Sequence, residues 1–311
     1  MTPILHHFEL SPFAEKVRAI LGLKRMAWRS VLIPMVMPKP DVVALTGGYR
    51  RTPTLQIGAD IYCDTSLIAQ VLDGLVPEPP LEPASAPLAS TVAAWADGTL
   101  FWQAIMVTQA PEARAALFAG MSPEAIKAVG ADRAAFTAGL KRPAPLDAAA
   151  QLQTALRMFD RALAGQPWLL GAQPSIADFS VYHCLWFTGR AAVAETLLKP
   201  HTAVRAWFER MRALGHGTRS EISSQEALTI AADCRNHAPV QVHAGLGFEA
   251  GAPVTVAAID YGTEPVNGKL VGLSIDRVTL ERADPRAGLV HVHFPRSGFQ
   301  VLRQSRNDTP N

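Results

Sequence analysis

The sequence predicts three consecutive regions: a small mixed α/β unit, an all-helical unit and a small all-β module. Short apolar runs alternate with helical patterns up to about residue 76, and a proline-dense stretch follows at 77–87. Short strand patterns separated by turns begin again after residue 240. With 311 residues, 49% of them hydrophobic, the chain is long enough for two or three buried cores.

The N-terminal region, residues 1–76, follows the order strand, helix, strand, irregular stretch, hairpin, helix. Residues 3–8 and 28–33 carry strand patterns, and between them a helix begins near Ser11 with apolar residues at helical spacing. The hairpin is expected at 54–62, and a helix follows at about 65–75. This order is typical of a small mixed α/β domain.

The rest of the chain divides at changes of composition. Prolines at positions 77, 79, 80, 83 and 87 predict a linker over 77–87, because proline at this density cannot continue a helix or a central strand. The alanine-rich residues 88–220 predict an all-helical domain, and 221–239 a connecting segment. Residues 240–311 predict a β-barrel-like module, with strands expected at 254–256, 270–273, 278–280, 290–294 and 299–301.

Charge and composition narrow the classes of function. The 29 basic and 27 acidic residues give a net charge of +2, which lacks the clustered basic excess expected of a nucleic-acid-binding protein. The three widely spaced cysteines predict neither a disulfide framework nor a zinc site, and fit a reducing compartment. No secretory signal or bilayer-spanning run is evident, so we expect a cytoplasmic protein that does not bind membranes.

Three local motifs in the first region could carry chemistry. Ser-Pro-Phe at 11–13 stands at a strand-to-helix turn, where serine and proline are also ordinary helix-starting residues. Thr-Pro at 52–53 places a proline directly before a strand, which indicates a special backbone geometry such as a cis bond, or an ordinary trans turn. Asp-Thr at 64–65 begins a helix whose free N–H groups could hold a carboxylate.

Together these motifs resemble the glutathione S-transferase family. Ser-Pro-Phe at 11–13, Thr-Pro at 52–53 and Asp-Thr-x-x-Ile at 64–68 match the order and spacing of its thioredoxin-like domain. Ser-Ile-Ala-Asp at 175–178 resembles the capping box of the family's helical domain. The resemblance covers about residues 1–215, is closest to the serine-type classes, and does not extend to the β tail.

The resemblance implies roles for individual residues. Ser11 would be catalytic and would donate a hydrogen bond to the glutathione sulfur. Asp64 would bind the γ-glutamyl ammonium group, Thr65 its carboxylate, and Thr52, before a cis Pro53, the tripeptide backbone. For the glycine carboxylate, Lys39 ranks slightly ahead of Arg50 and Arg51. The full set expected to contact glutathione is Phe13, Lys39, Thr52, Pro53, Asp64 and Thr65.

Elementary chemistry supports a serine in this role. A free thiol has a pKa of about 8.5, and its thiolate is the nucleophile. Lowering that pKa by about two units requires roughly 2.7 kcal/mol of preferential stabilisation of the anion. One charge-assisted hydrogen bond together with a helix N-terminus can supply this amount. Because position 11 is not cysteine, the resemblance does not favour the branch that works through mixed disulfides.

Other candidates are weaker. Trp95 and Trp102 could line an apolar pocket for the second substrate, or could equally be core or dimer contacts. Cys63 is expected to be buried and inert. His291 and His293 share a strand face but have no evident third ligand, so surface histidines and no metal site are expected.

The sequence therefore predicts an enzyme that conjugates reduced glutathione, its co-substrate, to an apolar electrophile. The alternative is a non-catalytic glutathione- or ligand-binding protein whose β module mediates a partner interaction. A third possibility, a fold that has lost its ancestral function, predicts no glutathione binding. The resemblance further implies a homodimer. The β tail could cover the active-site cleft, extend the dimer or bind a partner.

Overall fold

A computed structural model describes residues 1–109, 115, 117–190 and 193–304. The end of the predicted β module, residues 305–311, lies outside the described residues. The N-terminal unit has the predicted order, with one additional short helix, α2. Its elements are β1 Ile4–His7, α1 Pro12–Leu23, β2 Ala27–Leu32, α2 Pro40–Thr46, β3 Thr54–Ile57, β4 Asp60–Cys63 and α3 Thr65–Leu75. Its core strands pair in the order β4-β3-β1-β2, with β1 parallel to β2 and antiparallel to β3.

The second unit is helical, as predicted. The described helices are α4 Ala89–Trp95, α5 Phe101–Val107, α6 Pro123–Phe136, α7 Pro145–Leu163, α8 Ile176–Gly189, α9 Val193–Leu198 and α10 Thr202–Ala213. A π-helical turn, Ala96–Leu100, joins α4 to α5. The helical spacing of Leu152, Leu156, Phe159 and Leu163 predicts an apolar stripe on α7. This stripe is buried, and it packs in the same hydrophobic cluster as residues of α1, α3 and α8. The α/β and helical units therefore share one continuous core.

Hydrogen bonds to the Asp178 carboxylate fix the start of α8 in the core. The buried Asp178 carboxylate accepts hydrogen bonds from the backbone N–H groups of Ser175 and Leu169, both at 2.9 Å. It also accepts from the Ser175 hydroxyl at 3.1 Å and from Trp207 Nε1 at 2.9 Å. The capping box predicted at 175–178 is therefore present, and one carboxylate ties α8 to α10 and to the preceding turn.

The C-terminal region contains all five predicted strands but not a separate barrel. Its elements are β5 Thr218–Glu221, α11 Ser224–Asp233, β6 Pro253–Ala258, β7 Val266–Leu273, β8 Arg277–Asp284, β9 Gly288–Pro295 and β10 Phe299–Arg303. The described strands form one ten-stranded sheet in the order β10-β6-β7-β8-β9-β4-β3-β1-β2-β5. The structure differs from the predicted barrel because β9 pairs with β4, the edge of the N-terminal sheet, rather than closing on β10.

The segment between the helical unit and these strands is also more ordered than predicted. Residues 218–220, assigned to the helical domain, belong to β5, which pairs in parallel with β2. Residues 221–239, predicted to connect, contain α11. Its buried residues Ala227, Leu228 and Ala231 face inward, and the helix packs against α2, β2 and β9. The added region is thus joined to the N-terminal unit at both edges of its sheet.

Among the described helices, none is both long enough and apolar enough to cross a membrane.

Two capping boxes in the described part of the chain allow a matched test of the buried one. Asp178→Ala leaves several buried donors without an acceptor, so we expect it to lower the free energy of unfolding by about 3–5 kcal/mol. Glu226→Ala removes the corresponding carboxylate from the exposed box at the start of α11, where water can replace it. The loss of unfolding free energy in this variant should be much smaller. If urea denaturation gave equal losses of unfolding free energy for the two variants, this account of Asp178 would be contradicted.

Candidate functional site

A cavity of about 370 Å³ lies between the N-terminal and helical units and contains most of the predicted site. Ser11, Phe13, Lys39 and Thr52 line it, and Trp102 lies on its helical side. Phe101, on the same early helix as Trp102 and also a candidate from the sequence for an apolar pocket wall, lines it too. Further walls come from residues to which the sequence analysis gave no role at this site: Ile105, Arg133, Phe136 and Tyr261. The lining of the cavity therefore combines cationic side chains with aromatic rings, and several of these cations lie over the rings.

Ser11 is held at the start of α1. Its backbone N–H donates to the Phe8 carbonyl at 3.1 Å, and its Oγ accepts from the Ala14 N–H at 3.2 Å. Pro12 occupies the first turn, where its missing N–H costs nothing. Within the described part of the chain no acceptor takes the Ser11 hydroxyl proton, so the hydroxyl can donate to an anion in the cavity. The helix N-terminus favours negative charge at the same place.

The aromatic wall is built around Phe13 and Trp102. The Phe13 ring packs against Phe101 at 4.7 Å and against His183 at 4.6 Å between centroids. Tyr261 meets the Trp102 ring edge to face at 5.1 Å, and Phe136 in the same way at 5.2 Å. These rings give the cavity a surface suited to an apolar molecule.

Lys39 contributes a buried cation to this cavity. Its Nζ donates to Thr52 Oγ1 at 3.1 Å, and no described carboxylate lies within salt-bridge distance of it. Burial, together with the nearby Arg133, lowers the pKa of Lys39 to about 8. By contrast, Arg50 is paired with both Asp132 and Glu264, at 2.8 and 2.7 Å. Lys39 is therefore better placed than Arg50 to receive a ligand carboxylate.

Asp64 and Thr65 lie at the start of α3, apart from Ser11. Asp64 lines a larger neighbouring cleft of about 1070 Å³. Its carboxylate accepts from the Ser66 N–H at 2.9 Å, and its backbone has φ of +75°, a strained value for a residue with a side chain. The Thr65 hydroxyl is buried and accepts from Lys16 Nζ at 3.4 Å. Between this cleft and the cavity, the Thr52–Pro53 peptide bond is cis, as the sequence suggested.

The loop at 259–265, which connects β6 to β7, covers the cavity. The Arg51 guanidinium bonds Asp260 and the Tyr261 carbonyl, and lies over the Tyr261 ring at 4.1 Å. Gly262 donates its N–H to the Phe136 carbonyl at 3.0 Å; a Cβ at this glycine would come within 2.3 Å of the Phe136 ring. Of the three roles left open for the β tail, covering the cleft is the one that this contact supports.

This loop also changes the surroundings of Asp64. Arg51 Nη1 lies 3.9 Å from Asp64 Oδ2, so a cation of the protein itself already faces the carboxylate expected to bind the γ-glutamyl ammonium group. Tyr261 and its neighbours were missed from the sequence because they are nearly 200 residues from the motifs they contact. No local pattern distinguishes them from turn residues.

Two further predictions concern Trp95 and Cys63. Trp95 lies apart from the cavity: it is half-buried in the helical core, with its ring 6.2 Å from that of Phe159. We therefore assign it to packing, the other role considered for it. Cys63 ends β4 and is fully buried, and burial raises the pKa of its thiol well above the ordinary value. The expectation that Cys63 is buried is confirmed, and its lack of reactivity stays a prediction.

The expectation of surface histidines in β9 is wrong. His291 is 8% exposed and His293 is fully buried, because β9 lies inside the sheet between β8 and β4. The third group that was not evident in the sequence comes from elsewhere in the chain: Asp60 and His237 lie beside His291. This group is separate from the residues that line the cavity.

Comparison with known proteins agrees with these features. The glutathione S-transferase N-terminal domain family matches residues 5–80, and the C-terminal domain family matches residues 123–210. A glutathione S-transferase-like protein from Pseudomonas syringae is 40% identical with a TM-score of 0.77, over 98% of this chain and 100% of that one. A search of the curated proteins found no match.

More distant structures share the fold. A glutathione S-transferase from Rhodospirillum rubrum is 20% identical with a TM-score of 0.50, over 68% of this chain and 88% of that one. Glutathione S-transferase III in its apo form is 19% identical with a TM-score of 0.52, over 77% of this chain and 100% of that one. The two domain matches and the 40% identical relative show that this chain belongs to the glutathione S-transferase family.

Proposed function

We propose that this protein is a glutathione transferase that conjugates reduced glutathione to an apolar electrophile. The observation that carries the proposal is the position of Ser11, at a helix N-terminus inside a cavity lined by both cationic and aromatic side chains. Its hydroxyl would donate to the glutathione sulfur and favour the thiolate. Lys39 would bind the glycine carboxylate, and the peptide at Thr52 the tripeptide backbone.

The chemistry then requires little beyond activation and positioning. The thiolate attacks an electrophilic carbon, a C–S bond forms, and the displaced electron pair leaves with a leaving group or is protonated by solvent. Phe13, Trp102 and Tyr261 would hold the apolar electrophile beside the sulfur and exclude water. We also propose that the protein is a homodimer in the cytoplasm, as the family resemblance implies. The molar mass measured by light scattering after size-exclusion chromatography tests the dimer.

One observation favours the alternative, a binding protein with little transferase activity. Arg51 faces Asp64 at 3.9 Å and is held there by Asp260 and Tyr261 of the covering loop. A γ-glutamyl ammonium group would have to share Asp64 with this guanidinium, which weakens its binding. In this alternative the cavity binds another ligand, and the β region of the protein mediates an interaction with a partner.

Titration calorimetry with reduced glutathione tests the binding site directly. The wild type should bind in the micromolar to low-millimolar range. Asp64→Asn removes the charge but keeps an oxygen for the Ser66 N–H, so α3 keeps its cap, and we expect affinity to fall at least about tenfold through the lost charge-assisted contact. Well-folded wild type without detectable binding would overturn both the transferase and the glutathione-binding alternative.

Ser11→Ala tests the activation of the thiol. Loss of a hydrogen bond to an anion, worth about 1.5–3 kcal/mol, should lower kcat/KM roughly 10- to 150-fold at pH 6.5. Because less thiolate is present at a given pH, the acid limb of the pH–rate profile should move upward toward pH 8.5. The deficit should therefore shrink as pH rises.

Ser122→Ala is the matched control for this variant. Ser122 caps α6 with the same 3.2 Å bond to a backbone N–H, but it is outside the cavity, so the variant loses a cap and no donor. It should keep the wild-type pH profile, and Ser11→Thr should largely restore it. If Ser11→Ala lowered kcat/KM by the same factor at every pH, without moving the acid limb of the pH–rate profile, the result would argue against a hydrogen bond to the sulfur.

The covering loop should influence the second substrate. Tyr261→Phe keeps the ring that packs on Trp102 and Phe136, and we expect kcat/KM with a panel of apolar electrophiles to stay within about twofold. Tyr261→Ala removes roughly 2–3 kcal/mol of apolar contact if the ring is buried against the electrophile, so KM should rise at least about tenfold. Equal behaviour of the two variants would exclude this ring from the electrophile site.

A further inference from the structure

A second cluster of polar side chains lies where the added strands join the N-terminal sheet. The strand register aligns Glu281 of β8, His291 of β9 and Asp60 of β4 in one row across three neighbouring strands. Because side chains at paired positions share a face, these three groups lie on the same side of the sheet. Buried polar and charged side chains need partners, so a row of one histidine between two carboxylates inside a sheet indicates a specific interaction at this place.

His237 completes the cluster from a different part of the chain. It belongs to the segment that follows α11, which is held in place by the Ala238 N–H donating to Asp60 Oδ2 at 2.8 Å. The His237 ring lies nearly parallel to that of His291, with 3.8 Å between centroids. Three separate segments of the chain therefore converge on Asp60.

Both of these histidines leave a buried nitrogen unsatisfied. Within the described part of the chain, neither His237 Nδ1 nor His291 Nδ1 has a hydrogen-bond partner, although both atoms are shielded from solvent. Buried polar atoms nearly always have a partner, and two orphans side by side next to a carboxylate are unusual. A cation between them would satisfy both nitrogens and the carboxylate at once.

The distances suit a metal ion. One ligand atom from each of Asp60, His237 and His291 lies within 4.8 Å of the other two, and His291 Nδ1 is 3.9 Å from Asp60 Oδ1. Ligand atoms about 2.0–2.1 Å from a tetrahedral Zn²⁺ lie roughly 3.4 Å apart. Side-chain movements of about 1 Å or less would therefore bring the three groups into a coordination sphere.

We propose that Asp60, His237 and His291 bind a first-row divalent cation, with Zn²⁺ as the expected occupant. Two imidazole nitrogens and one carboxylate oxygen are ligands that this ion prefers, and a water molecule would take the fourth position. The ion links β4 of the N-terminal unit, β9 of the added region and the segment between them. Its site is independent of Ser11 and of the proposed transferase chemistry.

The surrounding groups are arranged as supports for such ligands. His293 Nε2 donates to Asp60 Oδ1 at 2.7 Å, and its Nδ1 accepts from Thr279 Oγ1 at 3.0 Å, which sets both its tautomer and the direction of the carboxylate. Glu281 Oε2 lies 3.9 Å from His291 Nε2, on the ring edge opposite the unpaired Nδ1. Carboxylates behind metal-binding histidines orient them in this way.

Metal analysis of the full-length protein tests the site. The protein is stripped with a chelator, incubated with excess Zn²⁺, desalted, and measured by plasma mass spectrometry. We expect close to one Zn²⁺ per chain for the wild type and for His243→Ala, an exposed histidine six residues farther along the same segment. His237→Ala should retain less than about a fifth of an equivalent. Retention of about one equivalent by His237→Ala would show adventitious binding elsewhere and overturn the proposal.

Stability and spectroscopy provide readouts that do not depend on the variant folding. Free Zn²⁺ at about a hundred times Kd should raise the Tm of stripped wild type by roughly 3–6 °C, and that of His237→Ala by much less. Co²⁺ added to stripped wild type should give visible absorption bands typical of a four-coordinate site. Wild type that binds no Zn²⁺, shows no Tm shift and gives only the spectrum of hydrated Co²⁺ would rule the metal site out.

Discussion

The parallel pairing of β9 with β4 is the contact on which the rest of this structure depends. Without it, β4 would be the edge of a four-stranded sheet and would present unpaired N–H and C=O groups to solvent. Residues 60–62 instead pair with 291–293, so the added strands extend the N-terminal sheet rather than forming a module beside it. At the other edge, β5 covers β2. Helix α11 then packs on β9 and α2 and seals the junction.

That pairing determines where the loop at 259–265 lies. Because β6 and β7 are fixed in the extended sheet, the loop between them reaches the mouth of the Ser11 cavity, where Tyr261 meets Trp102 and Phe136. Arg51 is held by this loop through Asp260 and the Tyr261 carbonyl. The cavity is thus built from three parts of the chain: a thioredoxin-like domain, a helical domain and a loop of the added strands. A ligand that enters it contacts all three.

Charge is distributed unevenly around the proposed glutathione site. Arg50 and Arg51 are both paired with acidic residues, whereas Lys39 Nζ bonds the Thr52 hydroxyl and pairs with no carboxylate among the described residues. Near Asp64, the positive charge of Arg51 stands where a substrate ammonium group is expected. On the helical side, Lys16 and His183 flank Asp97, and although burial opposes ionisation they hold the pKa of Asp97 down to about 2. The Lys16–Asp97 ion pair and the His183–Asp97 hydrogen bond join the two domains next to Phe13.

The sequence by itself determined the local structure and the order of the elements. Ser11 before Pro12, the prolines after residue 76, the stripe on α7 and the capping box at 175–178 are short-range signals, since each depends on neighbours within one or two turns of chain. The five C-terminal strands were likewise predicted from short apolar runs separated by turn residues. The roles proposed for Ser11, Lys39, Thr52 and Asp64 came from the family resemblance, because the motifs that carry that resemblance are also local.

Only the tertiary structure decided how these elements meet. A strand's own pattern does not say which edge it will pair with, so the joining of β9 to β4 could not be read from residues 288–295, and a barrel was expected instead. The same pairing buried His291 beside Asp60 and His237, and carried Tyr261 to a site some 200 residues away in sequence. Contacts of this kind depend on long-range backbone hydrogen bonding and packing, for which a single sequence contains no periodic signal.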